Sequence, residues 1–200
     1  MPGAGAAGSS VRASHCHATL RTLRTLDPGA LERVQARLPG EILRAITSAT
    51  SVDLVPARWD LLLVEAIALE LGLPATRGLA RATMLDSLRG PLLHSFLTAA
   101  VGIFGRSPGK LFGWSGRVWG HVTSGAGVLR LEAAADDQAL LLLEGMPADL
   151  AVPVYLEAVA GTLESLFDVC QVTGTVAVTP GPDGARFEAS WRLPDGRGDW

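Results

Sequence analysis

Histidine and cysteine crowd together once in this chain, at His15-Cys16-His17. Imidazole nitrogen and thiolate sulfur are the ligands zinc prefers, and a structural site takes four of them. The remaining candidates, His94, His121 and Cys170, stand alone and far off, so no second cluster follows at zinc-like spacing. Two readings stay open for the triplet: an incidental part of a flexible tail, or a tail that captures metal. No metal site is expected. The loop Gly105-Arg106-Ser107-Pro108-Gly109-Lys110-Leu111 has the flavour of a phosphate cradle. A true one reads G-x-x-x-x-G-K-S/T; here the first gap is one residue short, and Leu111 has no hydroxyl for magnesium. A helix-ending turn explains these residues better. Gly113-Trp114-Ser115-Gly116 likewise misses the G-x-S-x-G spacing of a nucleophile elbow. His94 and His121 could act as bases, but no motif ties a serine or cysteine to either. Asp136-Asp137 and Asp183-Gly184 fit turns rather than calcium loops. No catalytic residue, and no enzyme, is expected.

The aromatic residues carry more information. Phe96, Phe104, Phe112, Trp114, Trp119 and Tyr155 read either as core and helix packing or as the lining of an apolar pocket. On the pocket reading the candidate ligand-binding residues are Leu92, Phe96, Ala100, Phe104, Trp114, Trp119 and Tyr155. On the competing reading the same apolar stripe, residues 92–104, is an interface for a second copy or another protein, with no ligand.

These residues need elements to hold them. Asp27-Pro28 predicts an N-cap and first helical residue, with a helix to about Arg37 that stops at Pro39-Gly40. Ile42, Leu43 and Ile46 predict a second helix. Pro56 opens a third, with Trp59, Leu62, Leu63, Ala66 and Ile67 at helical spacing, ending at Gly72. Ala75 to Phe104 is helical in pattern but broken at Gly90-Pro91, where proline removes a donor and clashes with the preceding turn. Lys110 to Trp119 reads as a short helix or extended arm. The period then changes. Strands are expected over 122–133 and 139–143, a helix over 152–169, and strands over 172–179 and 185–193 around Pro180-Gly181-Pro182-Asp183-Gly184. On the helix, Leu156, Val159, Leu163 and Phe167 face inward and Glu157, Glu164 and Asp168 outward. In the last strand Phe187, Ala189 and Trp191 share one face.

The expected fold is therefore α+β: N-terminal helices, then a four-stranded antiparallel sheet packed against helices, with a ββαββ C-terminal module. Residues 1–19 are expected to be a disordered tail, 20–193 one domain (20–120 mainly helical) and 194–200 an exposed tail.

Bulk properties agree. Two hundred residues, 48% of them hydrophobic, can bury a sizeable core. The mean hydropathy of +0.29 is high and fits either a GC-rich genome or an apolar face kept for a ligand or partner. A net charge of −3 gives no general attraction to nucleic acid or anionic membrane. No uninterrupted apolar run reaches the ~18 residues of a spanning helix. With two cysteines and no leader-like start, a cytoplasmic location is expected.

From Arg81 to Trp191 the chain resembles a paralogous family of unknown function abundant in myxobacteria. The resemblance rests on the Leu-rich stripe of 92–104 and the Trp-bearing arm Lys110 to Trp119. Two strands follow, then a helix beginning near Pro153, and a last strand with Phe187 and Trp191 spaced aromatic-x-x-x-Trp. That family is similar in layout to 4-vinyl-reductase-like domains, TRAPP transport subunits and haem-NO-binding-type sensors. The resemblance implies an α/β sandwich that holds a small apolar ligand or lipid and often dimerises. The chain lacks the cysteine-rich cluster of the first group and a proximal haem-ligand motif of the last, so no cofactor is expected. The reading that results is a non-enzymatic cytoplasmic small-molecule- or lipid-binding sensory module, expected as a dimer on the family's pattern; the alternative is the interaction module.

Overall fold

The structure, a computed structural model, describes residues 8–192, excepting the side chains of Arg89, Pro91, Leu92, Phe96 and Phe104. The expected tail 194–200 and residues 1–7 lie outside the described residues.

The order of elements is β1 (Ser10–Arg12), α1 (Ala13–Leu26), α2 (Pro28–Arg37), α3 (Gly40–Ser48), β2 (Leu54–Pro56), α4 (Ala57–Leu71), α5 (Leu73–Arg89) and α6 (Pro91–Phe104). There follow α7 (Pro108–Phe112), α8 (Ser115–Val122), β3 (Thr123–Ser124), β4 (Val128–Ala134), β5 (Gln138–Glu144), α9 (Pro153–Cys170), β6 (Thr173–Gly181) and β7 (Gly184–Arg192). The fold is α+β, and its C-terminal part is the expected ββαββ module: a four-stranded antiparallel sheet ordered β4-β5-β7-β6, with α9 between the hairpins.

Local chemistry sets the helix ends. The Asp27 carboxylate accepts from the Ala30 N–H at 2.9 Å, with Pro28 in the first turn where its missing N–H costs nothing. Gly72, at φ 81°, separates α4 from α5. Gly90-Pro91 divides α5 from α6 as expected.

One expectation is overturned. Ser10 to Thr19 is not a disordered tail: Ser10–Arg12 is the middle strand of a small antiparallel sheet, β2-β1-β3, and α1 starts at Ala13. The reason is non-local pairing. Val11 sits opposite Val55 and Thr123, and Arg12 donates to the His121 carbonyl at 2.7 Å. Ala13, Cys16, Leu20 and Leu23 of α1 are buried against α2 and α4. A smaller correction applies at 122, which ends α8 rather than opening a strand; the strand itself starts at Val128.

The main core lies between α9 and the sheet. Phe112, Phe167 and Trp191 stack there, with Phe112 and Phe167 edge to face at 5.6 Å. Phe187, Ala189 and Trp191 point inward together and Glu188 and Ser190 outward, as period 2 requires. Gly184 must be glycine: a Cβ there would overlap the Leu143 carbonyl. Gly161 must be glycine for the same reason, because it brings α9 against the Arg77 carbonyl of α5.

Glu164 departs from its expected outward position. It is only 9% exposed. One carboxylate oxygen takes the Val176 N–H at 3.1 Å and an Arg77 N–H at 2.7 Å, and the other takes Arg77 Nε at 3.2 Å. Arg77 also binds Glu157 at 2.7 Å and the Val176 carbonyl. A buried carboxylate is tolerable when its lone pairs are met in this way.

Candidate functional site

The other face of α9, away from the sheet, does not close on its neighbours. Between it and α1, α4, α5, α6 and α8 lies a cavity of about 120 Å³, counted as room for the centres of water-sized molecules. One water needs ~10–15 Å³ on that measure, so the space is on the order of ten water positions. Most of the wall is apolar: Val64 and Ile67 from α4, Leu79 and Met84 from α5, Val159 and Leu163 from α9.

One corner is polar. Asp60 of α4 is 1% exposed. Its Oδ2 accepts from Tyr155 Oη at 2.9 Å, and its Oδ1 from the Cys16 thiol at 3.6 Å. His15 Nε2 stands 3.9 Å from Oδ1. Burial, and then the negative charge of Asp60, hold the Tyr155 phenol and the Cys16 thiol well above their ordinary pKa values. Both keep their protons and remain donors to the carboxylate.

The residues proposed from sequence fall as follows. Ala100, Trp114, Trp119 and Tyr155 all line this cavity. Trp119 Nε1 donates to the Gly127 carbonyl at 3.1 Å, which fixes its ring, and the Arg117 guanidinium lies 5.0 Å from the Trp114 ring centre. The side chains of Leu92, Phe96 and Phe104 lie outside the described residues. Of the described stripe residues on α6, Leu93 and Ala100 are buried within the molecule, while Ile103 is exposed. The triplet His15-Cys16-His17 fans around α1, as neighbouring helical residues must. His15 faces the cavity, Cys16 the Asp60 carboxylate, and His17 Nε2 bonds the Ile46 carbonyl at 2.7 Å. Among the described residues no group of three His, Cys, Asp or Glu is placed to hold a metal ion.

Sequence reasoning missed Asp60, and weighed His15 only as a metal ligand in a tail. The signal for Asp60 was present: Asp60, Val64 and Ile67 are spaced i, i+4, i+7, so an acid lies on a buried helical stripe. The place of His15 at the cavity could not be read while residues 1–19 were taken for a tail.

No family model matches the chain, and no curated protein matches it. Solved structures do. The Fe(II) unliganded H-NOX protein from K. algicida superposes with a TM-score of 0.64 at 6% identity, covering 92% of this chain and 98% of that one. The H-NOX protein from S. oneidensis in the Fe(II)NO state gives 0.61 at 12%, covering 91% and 99%. A structure concerned with heme redox potential and porphyrin distortion gives 0.57 at 11%, covering 91% and 99%. At these identities the likeness shows the fold: this chain is similar in architecture to H-NOX domains over nearly its whole length.

Proposed function

We propose that this chain, with the myxobacterial paralogues its sequence resembles, is a non-enzymatic cytoplasmic sensory module that binds a small apolar molecule. The observation that supports the reading is the cavity, apolar on most sides and polar at one corner, in a fold shared with ligand-binding H-NOX proteins. Binding sites of this kind combine an apolar lining with a few placed polar groups.

Haem, named for one of the similar structures, does not fit the described residues. A porphyrin carries two carboxylates that need cationic partners, yet the described lining holds no lysine or arginine. The nearest inward arginines are committed elsewhere, Arg77 to Glu157 and Glu164, and Arg81 to Asp168 at 2.6 and 2.8 Å. The one ionisable carboxyl on the wall, Asp60, would repel a propionate. The space is also small for a macrocycle. A smaller ligand is the better match.

Native mass spectrometry of untagged protein, purified without detergent, tests the reading. A small organic mass that travels with the folded chain and is released on denaturation is expected, and Ala100→Trp, which fills the cavity, should lose it. A bare dimer whose assembly Ala100→Trp disrupts would overturn the pocket in favour of the interface.

A further inference from the structure

The cavity wall is biased in its hydrogen bonding. A hydroxyl has one proton to give and two lone pairs to offer. Along much of this wall the protons are already given away inside the protein. Tyr155 donates to Asp60 at 2.9 Å, Thr19 to the His15 carbonyl at 3.2 Å, and Thr76 to the Gly72 carbonyl at 2.9 Å. Thr123 donates to the Trp119 carbonyl at 2.9 Å and Ser165 to the Thr162 carbonyl at 2.6 Å. Lone pairs are what these groups can offer to a guest. Ser115 Oγ, buried on the same wall, has no hydrogen-bond partner among the described residues, so it can donate as well as accept.

The charge is biased in the same direction. Asp60 is the carboxyl on the wall; His15 Nε2 stands 3.9 Å from it, beyond hydrogen-bond distance, and the described lining residues include no lysine or arginine. Two donors, Tyr155 and Cys16, occupy one site on each of its oxygens. A carboxylate offers about four such sites, so capacity is left over. In a low-dielectric pocket an anionic guest would be repelled, and a neutral alcohol could offer a single proton. An ammonium group offers three donors and a fixed positive charge.

We propose that the cavity selects a short apolar molecule bearing a protonated amine, with Asp60 as its counter-charge and Ser115 as a further polar contact. This rests on the pocket reading above and deepens it by naming the chemical class of the ligand.

Isothermal titration of the full chain at neutral pH with hexylamine, hexanol and hexanoate separates the two ideas. Hexylamine should bind about tenfold or more tighter than hexanol, and hexanoate should not bind. Asp60→Asn should abolish the preference for the amine, bringing hexylamine to within roughly twofold of hexanol. Hexanoate binding as well as hexylamine, or a preference that survives in Asp60→Asn, would overturn the amine assignment and leave the pocket standing. If none of the three binds, the pocket itself falls, and the assignment with it. Should Asp60→Asn fail to fold, the ranking of the three probes on the unaltered chain decides alone. Tyr155→Phe then gives a second check: it frees a lone pair on Asp60, so the amine preference must persist, and its loss would count against Asp60 as the anchor.

Discussion

The two faces of α9 are built to opposite ends. Toward the sheet it meets Phe112, Phe187 and Trp191, all nearly without exposure, and the aromatic rings fill the space between helix and strands. Toward α4 and α5 the same helix borders a void, and there the fold places an acid, a phenol and a histidine. A packed face resists any change of volume, because neighbouring atoms cannot follow. A face with spare volume and paired polar groups can admit a guest without rebuilding the fold. On the proposed reading, stability is concentrated on one side of α9 and selectivity on the other. Arg77 and Gly161 clamp α5 to α9.

The largest test of this contrast is on the packed side. Phe167→Ala should destabilise by about 3–5 kcal/mol in urea unfolding, because it opens a hole between rings that cannot collapse. A cost below about 1 kcal/mol would mean that this face is as loose as the other. Next is the clamp. Arg77→Met leaves Glu164 buried without its cation and should cost roughly 3 kcal/mol, whereas the double change with Glu164→Leu should recover most of that. Equal losses in the single and double variants would show that the pair does not act as a unit.

On the void side, Ala100→Trp should cost little, about 1–3 kcal/mol, because the added ring has somewhere to go. A loss as large as that of Phe167→Ala would show that the space is not available. The smallest effect is with pH. Cys16 and Tyr155 ionise at higher pH folded than unfolded, with ordinary values of 9.0 and 10.0. Their contribution is complete below those values and is lost as pH rises toward the folded ones. Cys170, pushed up to about 12 by burial, adds to the same slope. The melting temperature should therefore fall as pH climbs past about 9, and Tyr155→Phe should flatten the fall. An unchanged slope in that variant would remove Tyr155 from the linkage.

Periodicity and helix punctuation made the packed side legible in sequence. The alternation of Phe187, Ala189 and Trp191 and the inward placing of Leu156 and Phe167 carry it without reference to anything distant, while Val159 and Leu163 of the same expected stripe line the void. The void side is assembled from afar. His15 reaches the cavity because β1 pairs with strands at 54–56 and 123–124, and no local pattern announces those partners. Glu164 was assigned to solvent by its charge, yet a guanidinium on α5, 87 residues away, draws it inside. Tyr155, Trp114 and Trp119 were legible as aromatic residues and came together at one wall. Asp60, their polar counterpart, looked like an ordinary first-turn acid of α4.

The most direct measurement is a methyl NMR titration with hexylamine. Saturable 1:1 shifts should appear at Val64, Ile67, Leu79 and Val159, which line the cavity, while Leu141, Leu143 and Val176 on the sheet side stay still. Shifts centred on the sheet side, or none at any methyl, would contradict the division of α9 into a packed face and a binding face.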